Sequence, residues 1–340
     1  MNVSRRIAVV AVLLGMGLVG TDANQAVVLK MATLAPQNSV WYNALMQMGS
    51  TWKKTTNGQV SMTLFAGQTQ GSDEDVLRKM RINQLQGAAL SAIGLWQIDE
   101  ATNVFGIPLF YQSDAELFHV MAALTPVLSK RLEERGFVLL SWGHAGWAQV
   151  FSRQPIKTLD DLKRAKLFTS AGDEKMVQWY RERGFNPVPR ATTDLMTSLQ
   201  TGQIDALPVP PLAALFMRYD TLTPYMLDVA IAPLLGGQVL TKRAWDRIPD
   251  AAKPAVLEAA RAAEQQMQRQ IPADERKAVD EMEKRGLKVI RVKGTKDETA
   301  FASVAKAYAD SMRGEWVPPD VFDEAVRVRD AFRARKGSSR

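Results

Sequence analysis

Two histidines, His119 and His144, and no cysteine make up the soft metal ligands of this 340-residue chain. They lie 25 positions apart, so a zinc site would need several carboxylates, an uncommon donor set. Asp73, Glu74 and Asp75 form an acidic triplet, but acids at a helix start complement the helix dipole. No GxSxG, Walker or HExxH pattern occurs, and nothing points to a carboxylate pair for glycosidic chemistry. Gly15, Gly17 and Gly20 match GxGxxG, yet no strand precedes them, so no nucleotide or other cofactor is expected. His144, near Trp142 and Trp147 and beside two glycines, reads as a partly buried, hydrogen-bonded imidazole. An enzyme is therefore not expected.

The residue types that remain suit recognition. Trp41, Trp96, Trp147, Phe168 and Phe216 are large aromatic groups able to wall a binding space. For Trp41 and Phe216, on helical stripes, core packing is the plainer role. Arg78, Arg81 and Arg190 are candidate partners for an acid, although solvated surface arginine is the commoner situation.

The chain is long for a single core and suits two lobes. Apolar residues make up 46% and charged residues 23%, as in folded globular proteins. The net charge is +7, but basic residues sit beside acids, as from Arg131 to Arg135, so nucleic acid is not an expected partner. Arg5 and Arg6 precede the apolar run Ile7 to Val19, and small residues flank Asp22. Residues 1–23 thus read as an export signal cleaved after Ala23, with an uncleaved anchor as the competing reading. The lack of cysteine excludes a lipidated cysteine and disulfides.

The elements that must position these side chains alternate. Val27 to Ala32 reads as a strand, followed by a helix with Trp41, Leu45, Met48 and Trp52 on one face and Ser39 as its cap. Val60, Met62 and Leu64 alternate as a half-buried strand. Asp73 is expected to cap the next helix, and Ala88 to Ile93 to form a strand. Phe137 to Trp142 and Ala148 to Phe151 read as two strands, and Lys166 to Ser170 as another. An Ala-rich stretch from Ala251 to Arg285 is interrupted at Pro272, which predicts a kinked bridging helix or two helices. Strand–helix alternation of this kind predicts mostly parallel sheets.

The region Leu159 to Pro249 resembles the substrate-binding proteins of tripartite ATP-independent periplasmic (TRAP) transporters. The likeness rests on Leu159 to Thr169, Gly184 to Pro189, Asp194 to Asp205 and Thr241 to Pro249, in that order and spacing. Leu29 to Trp41 and Asp75 to Gly87 add to it. The resemblance implies an α/β, two-lobed periplasmic-binding-protein-like fold with two mostly parallel sheets and a long bridging helix. Expected lobe I is residues 27–150 plus 236–270, and lobe II 151–235 plus 273–330, with 331–340 a flexible tail. It also implies a periplasmic location, a small-molecule ligand and integral permease subunits driven by an ion gradient. An accessory helical-repeat protein is a further partner to consider.

The departures from the family shape the expected ligand. Phe168 stands where the family's Lys-Ile-Arg-Val motif has its carboxylate-binding arginine. Trp147 or Ala148 falls at a second arginine, and Pro208-Val209 at a polar pair. Asp194 replaces a usual glutamate. Asn38, Trp41, Gly94, Trp96, Trp147, Phe168, Asp194, Pro208, Val209 and Phe216 are the expected ligand-binding residues. A buried carboxylate without a partner costs several kcal/mol, whereas burying ~200 Å2 of apolar ligand surface yields roughly 5 kcal/mol. The expected cargo is accordingly hydrophobic or weakly polar. An organic acid or dicarboxylate held by an unusual arginine is the alternative, and an enzyme on the same scaffold is a more distant one.

Overall fold

The computed structural model describes residues 26–337, so the expected signal at 1–23 lies outside the described residues. Nine strands occur among them: β1 (Val27–Thr33), β2 (Val60–Phe65), β3 (Gly87–Leu90), β4 (Phe137–Ser152), β5 (Lys166–Ser170), β6 (Asn186–Arg190), β7 (Ala206–Val209), β8 (Tyr225–Thr241) and β9 (Lys288–Ile290). The first helices are α1 (Val40–Thr55), α2 (Asp73–Arg81), α3 (Ala92–Ile98), α4 (Asp114–Glu134), α5 (Leu159–Arg164) and α6 (Glu174–Glu182). Then follow α7 (Leu195–Gln200), α8 (Pro211–Met217), α9 (Lys242–Asp246), α10 (Lys253–Lys284), α11 (Lys296–Glu315) and α12 (Pro319–Gly337).

The strands form one sheet in the order β2-β1-β3-β8-β4-β7-β5-β6, with β9 beside β8. Two separate sheets were the expectation. The ladder stays continuous because β4 and β8 pair antiparallel from Phe137↔Thr241 to Ser152↔Tyr225 and serve both halves. Each wing is parallel as expected: β2-β1-β3 on one side and β7-β5-β6 on the other. The two readings Phe137 to Trp142 and Ala148 to Phe151 are one 16-residue strand. Register shifts at Leu139/Ser141, His144/Gly146 and Ala148/Val150 absorb the irregular stretch between them. The expected lobe boundaries near residues 150 and 236 therefore fall inside paired strands.

In the first wing, Ser39 caps α1 by accepting from the Tyr42 amide, and Leu45, Met48 and Trp52 are buried. The Trp52 indole donates to Val256 O at 3.0 Å, docking α1 on α10. Ser72, not Asp73, is the N-cap of α2, in a reciprocal capping box with Asp75. Asp73 is buried and instead accepts from the Ser91 hydroxyl and amide. The apolar run Ala88 to Ile93 is a strand only to Leu90, because Ser91 caps α3.

Helix α10 is a single 32-residue element that passes through Pro272 without splitting. Its buried residues Val256 and Ala260 pack beneath the first wing, and Met267 and Ile271 pack against α8 of the second. The stretch expected to be a loose tail continues α12 to Gly337. Arg333 on α12 donates to both oxygens of Glu116 and to Phe110 O. Val321, Ala325 and Val328 share a core with Leu117, Val120 and Leu124 of α4, so the chain's end returns to the first wing rather than to lobe II.

Candidate functional site

A cavity of about 500 Å3 lies between the wings, within the size range of about 300–1,000 Å3 common for small-molecule sites. Loops after β1 and β3 and helices α1 and α3 supply one wall, including Leu34, Ser91 and Trp96. The ends of β5 and β7 and helix α8 supply the opposite wall. β4 and β8 form its floor with Ala148, Val150, Leu227 and Leu235, and α11 closes another side with Phe301, Tyr308 and Met312.

Trp41, Trp96, Phe168, Pro208, Val209 and Phe216 line this cavity. Trp41 and Phe216 meet edge to face at 6.0 Å, from α1 and α8 respectively. Phe216 is 40% exposed, which places it at the rim rather than in the core. The Trp41 indole donates to His144 O at 3.1 Å, tying the rim to the crossing strand. Phe168 is almost wholly buried and also packs with Leu195 and Val209 of the second wing.

Asn38, Gly94, Trp147 and Asp194 do not line the cavity. Asn38 is exposed in the loop before α1. Gly94 is buried against Asp73, where an added Cβ would lie 2.9 Å from the carboxyl carbon. Asp194 is exposed ahead of α7. Trp147 turns its indole to Asp114 Oδ1 at 2.8 Å and packs with the first-wing core. Its neighbour Ala148 reaches the cavity instead, because the register shift at His144/Gly146 reassigns which residues face it.

Among the described residues that line the cavity there is no lysine or arginine. The three arginines considered for an acid stand elsewhere. Arg78 pairs with Asp75 at 2.7 Å on the surface, Arg81 is exposed, and Arg190 donates to Gln203 and Pro189 O. Asp173 is the sole carboxylate in the lining. Burial pushes its pKa up, although the Met176 amide, the Trp316 indole and Lys175 pull the other way.

Lys175 holds the two walls together. Its Nζ lies 3.1 Å from Glu100 Oε1 and 2.8 Å from Glu315 O. Beneath the floor, Asp114 takes bonds from Trp147 and lies 3.4 Å from His144 Nε2. Burial raises the Asp114 pKa, but those two donors, with Arg276 nearby, more than offset it and hold the carboxyl low. Glu275 behaves oppositely. Burial pushes it up to about 8 despite a bond from the Trp147 amide, and the charge of Asp114 adds to the rise. Sequence spacing gave no sign of this group, since Glu275 and Trp147 are brought together only by the crossing of α10 over β4.

No group of three or more His, Cys, Asp or Glu is arranged to hold a metal among the described residues. No helix among them is long and apolar enough to cross a membrane.

Two wings that share crossing strands, a long spanning helix and a half-open cavity between them define a two-lobed binding-protein architecture. The profile of bacterial extracellular solute-binding protein, family 7 (DctP), matches residues 31–315, and the chain belongs to that family. The 2,3-diketo-L-gulonate-binding periplasmic protein YiaO of Escherichia coli is 22% identical over 280 residues, covering 81% of this chain and 84% of that one. The sugar acid binding protein DctPAm of Advenella mimigardefordensis, solved with galactonate, has a TM-score of 0.84 at 15% identity, covering 90% and 99% of the two chains. A TRAP solute-binding protein of Haemophilus influenzae, solved with L-gulonate, has a TM-score of 0.82 at 17% identity, covering 89% and 99%. The chain is thus an extracellular solute-binding protein and not an enzyme.

Proposed function

We propose that this receptor captures a small organic acid in the cavity between its wings and delivers it to integral permease subunits. The leader at residues 1–23 would export it. The half-open cavity between the wings carries the receptor reading. The acid reading is supported by relatives whose names or bound ligands are sugar acids, among them gulonate and glucuronate. It has a physical condition attached: with no lysine or arginine in the lining, the ligand's carboxylate must be met by the His144 imidazole, by hydroxyl, amide and indole donors or by backbone N–H groups.

A second reading is a hydrophobic or weakly polar cargo. It is favoured by Phe168 at the family's arginine position and by the mainly aliphatic and aromatic lining. Isothermal titration of the mature protein with hexonates and hexuronates separates the two. Mass analysis of material extracted from protein purified from its own host provides the second arm. Micromolar binding of a sugar acid supports the first reading. Recovery of an uncharged apolar compound, with no acid binding, replaces it by the second.

A further inference from the structure

We propose that Thr169, Trp179 and Trp316 form a neutral-donor subsite that takes the acceptor oxygens of the ligand's carboxylate. The proposal rests on the organic-acid reading and deepens it by naming what stands in for a guanidinium.

All three residues line the cavity. They are 3%, 5% and 5% exposed, respectively. Thr169 Oγ1, Trp179 Nε1 and Trp316 Nε1 have no hydrogen-bond partner within the protein. Buried polar groups are nearly always paired, so each such group needs an explanation. An indole N–H can only donate, and a threonine hydroxyl rotates to donate where an acceptor arrives. The set is therefore chemically uniform: it seeks oxygen.

The other two buried tryptophans, Trp52 and Trp142, both pair their indoles, as do half-buried Trp41 and Trp147, so a lone buried indole is not a habit of this fold. Trp41 donates to His144 O, Trp52 to Val256 O, Trp142 to Thr125 Oγ1 and Trp147 to Asp114 Oδ1. The two lone indoles share Tyr308 as a neighbour, with ring centroids 4.7 Å and 5.4 Å away, which puts them at one end of the cavity. Thr169 follows Phe168 on β5, and Asp173, four residues further on, caps the helix that carries Trp179. The Trp316 indole approaches the Asp173 carboxyl and lowers its pKa, but without full hydrogen-bond geometry. Burial still leaves that carboxyl raised, which limits its repulsion of an incoming anion.

The test uses the full mature chain and three probes that share a carboxylate but differ in body: D-glucuronate, phenylacetate and octanoate. Calorimetric affinities are compared for wild type, Thr169→Val, Trp179→Phe and Trp316→Phe, which remove one donor each; Thr169→Val also keeps shape. Each variant is expected to weaken the best-bound probe by about tenfold, or ~1.4 kcal/mol. For Thr169→Val the unliganded Tm should hold or rise, because a buried donor without a partner has been removed, whereas the two Trp→Phe variants also lose buried ring volume and should fall. Trp52→Phe, which makes the same loss of ring volume away from the cavity, should lower Tm and leave affinity unchanged. Wild-type binding with three unaffected variants overturns the subsite alone. Failure of all three probes with wild type overturns the acid reading together with the subsite. An unliganded Tm that falls in Thr169→Val overturns it as well, since that hydroxyl would then be paired inside the protein.

Discussion

The backbone N–H of Trp147 donates to Glu275 Oε2 at 3.2 Å, fastening α10 to the crossing strand β4 beside a register shift. Five residues earlier on β4, Trp142 N donates to Glu264 Oε2 at 3.1 Å from the same helix. Two half-buried glutamates therefore clip the spanning helix to the strand that both wings share.

Glu275 should make stability fall as pH rises. Its folded pKa of about 8 exceeds its ordinary value of 4.5. Between those values the folded chain keeps a proton that the unfolded chain has released, so the stabilisation is complete below the lower value and lost through the upper one. Urea unfolding from pH 4.5 to 9 should show this decline. Glu275→Gln should flatten it and be the more stable protein at pH 9, by on the order of 2–4 kcal/mol. Parallel curves for the two proteins would refute the assignment.

Gly146 should tolerate no side chain. Its φ is +108°, and a Cβ there would lie 2.1 Å from Glu275 Oε1. Gly146→Ala should cost more than ~2 kcal/mol, read as a drop in Tm, because the strained backbone and the displaced carboxylate act together. A Tm within a degree of wild type would contradict this.

Phe168→Arg should create the cation that the cavity lining does not contain. Phe168 is 9% exposed, so a guanidinium there is uncompensated in the empty receptor and should lower Tm by several degrees. A sugar acid should restore that Tm and bind at least tenfold tighter than to wild type. Unchanged acid affinity would show that position 168 does not meet the carboxylate.

Arg333 should anchor the end of the chain. It donates to both oxygens of Glu116, whose side chain is 3% exposed. Arg333→Met leaves that carboxylate buried without its partner and should cost about 3 kcal/mol by urea unfolding. The double variant with Glu116→Gln should lose much less. Equal losses in the two proteins would remove the ion pair from the account.

The helical face of α1 was legible because Trp41, Leu45, Met48 and Trp52 recur at one spacing with Ser39 ahead of them. The strand β5 and its Phe168 were legible for a similar local reason, a short apolar run after a capped turn. The long strand β4 was not, because glycines at 143 and 146 resemble a loop, and only pairing with β8 keeps them extended. Pro272 signals a break, yet burial of Ile271 and Ala278 on one face carries α10 past it. Asp73 looks like a cap until Ser91, distant in sequence, is seen to hold it. Trp147 was misplaced for a single reason: a one-residue register shift decides which face of a strand looks inward, and periodicity cannot register it. The unpaired indoles of Trp179 and Trp316 depend wholly on how α6 and α11 meet.

The long ladder between β4 and β8, offset at three register shifts, sets the mechanics of opening. No flexible linker separates the wings at the crossing; a hydrogen-bonded ribbon of two strands does. Parting the wings must therefore wind or unwind that ribbon like a torsion bar, with the three bulges as its softest points. Stiffness at those points would then govern how fast cargo leaves, independently of how tightly the walls grip it.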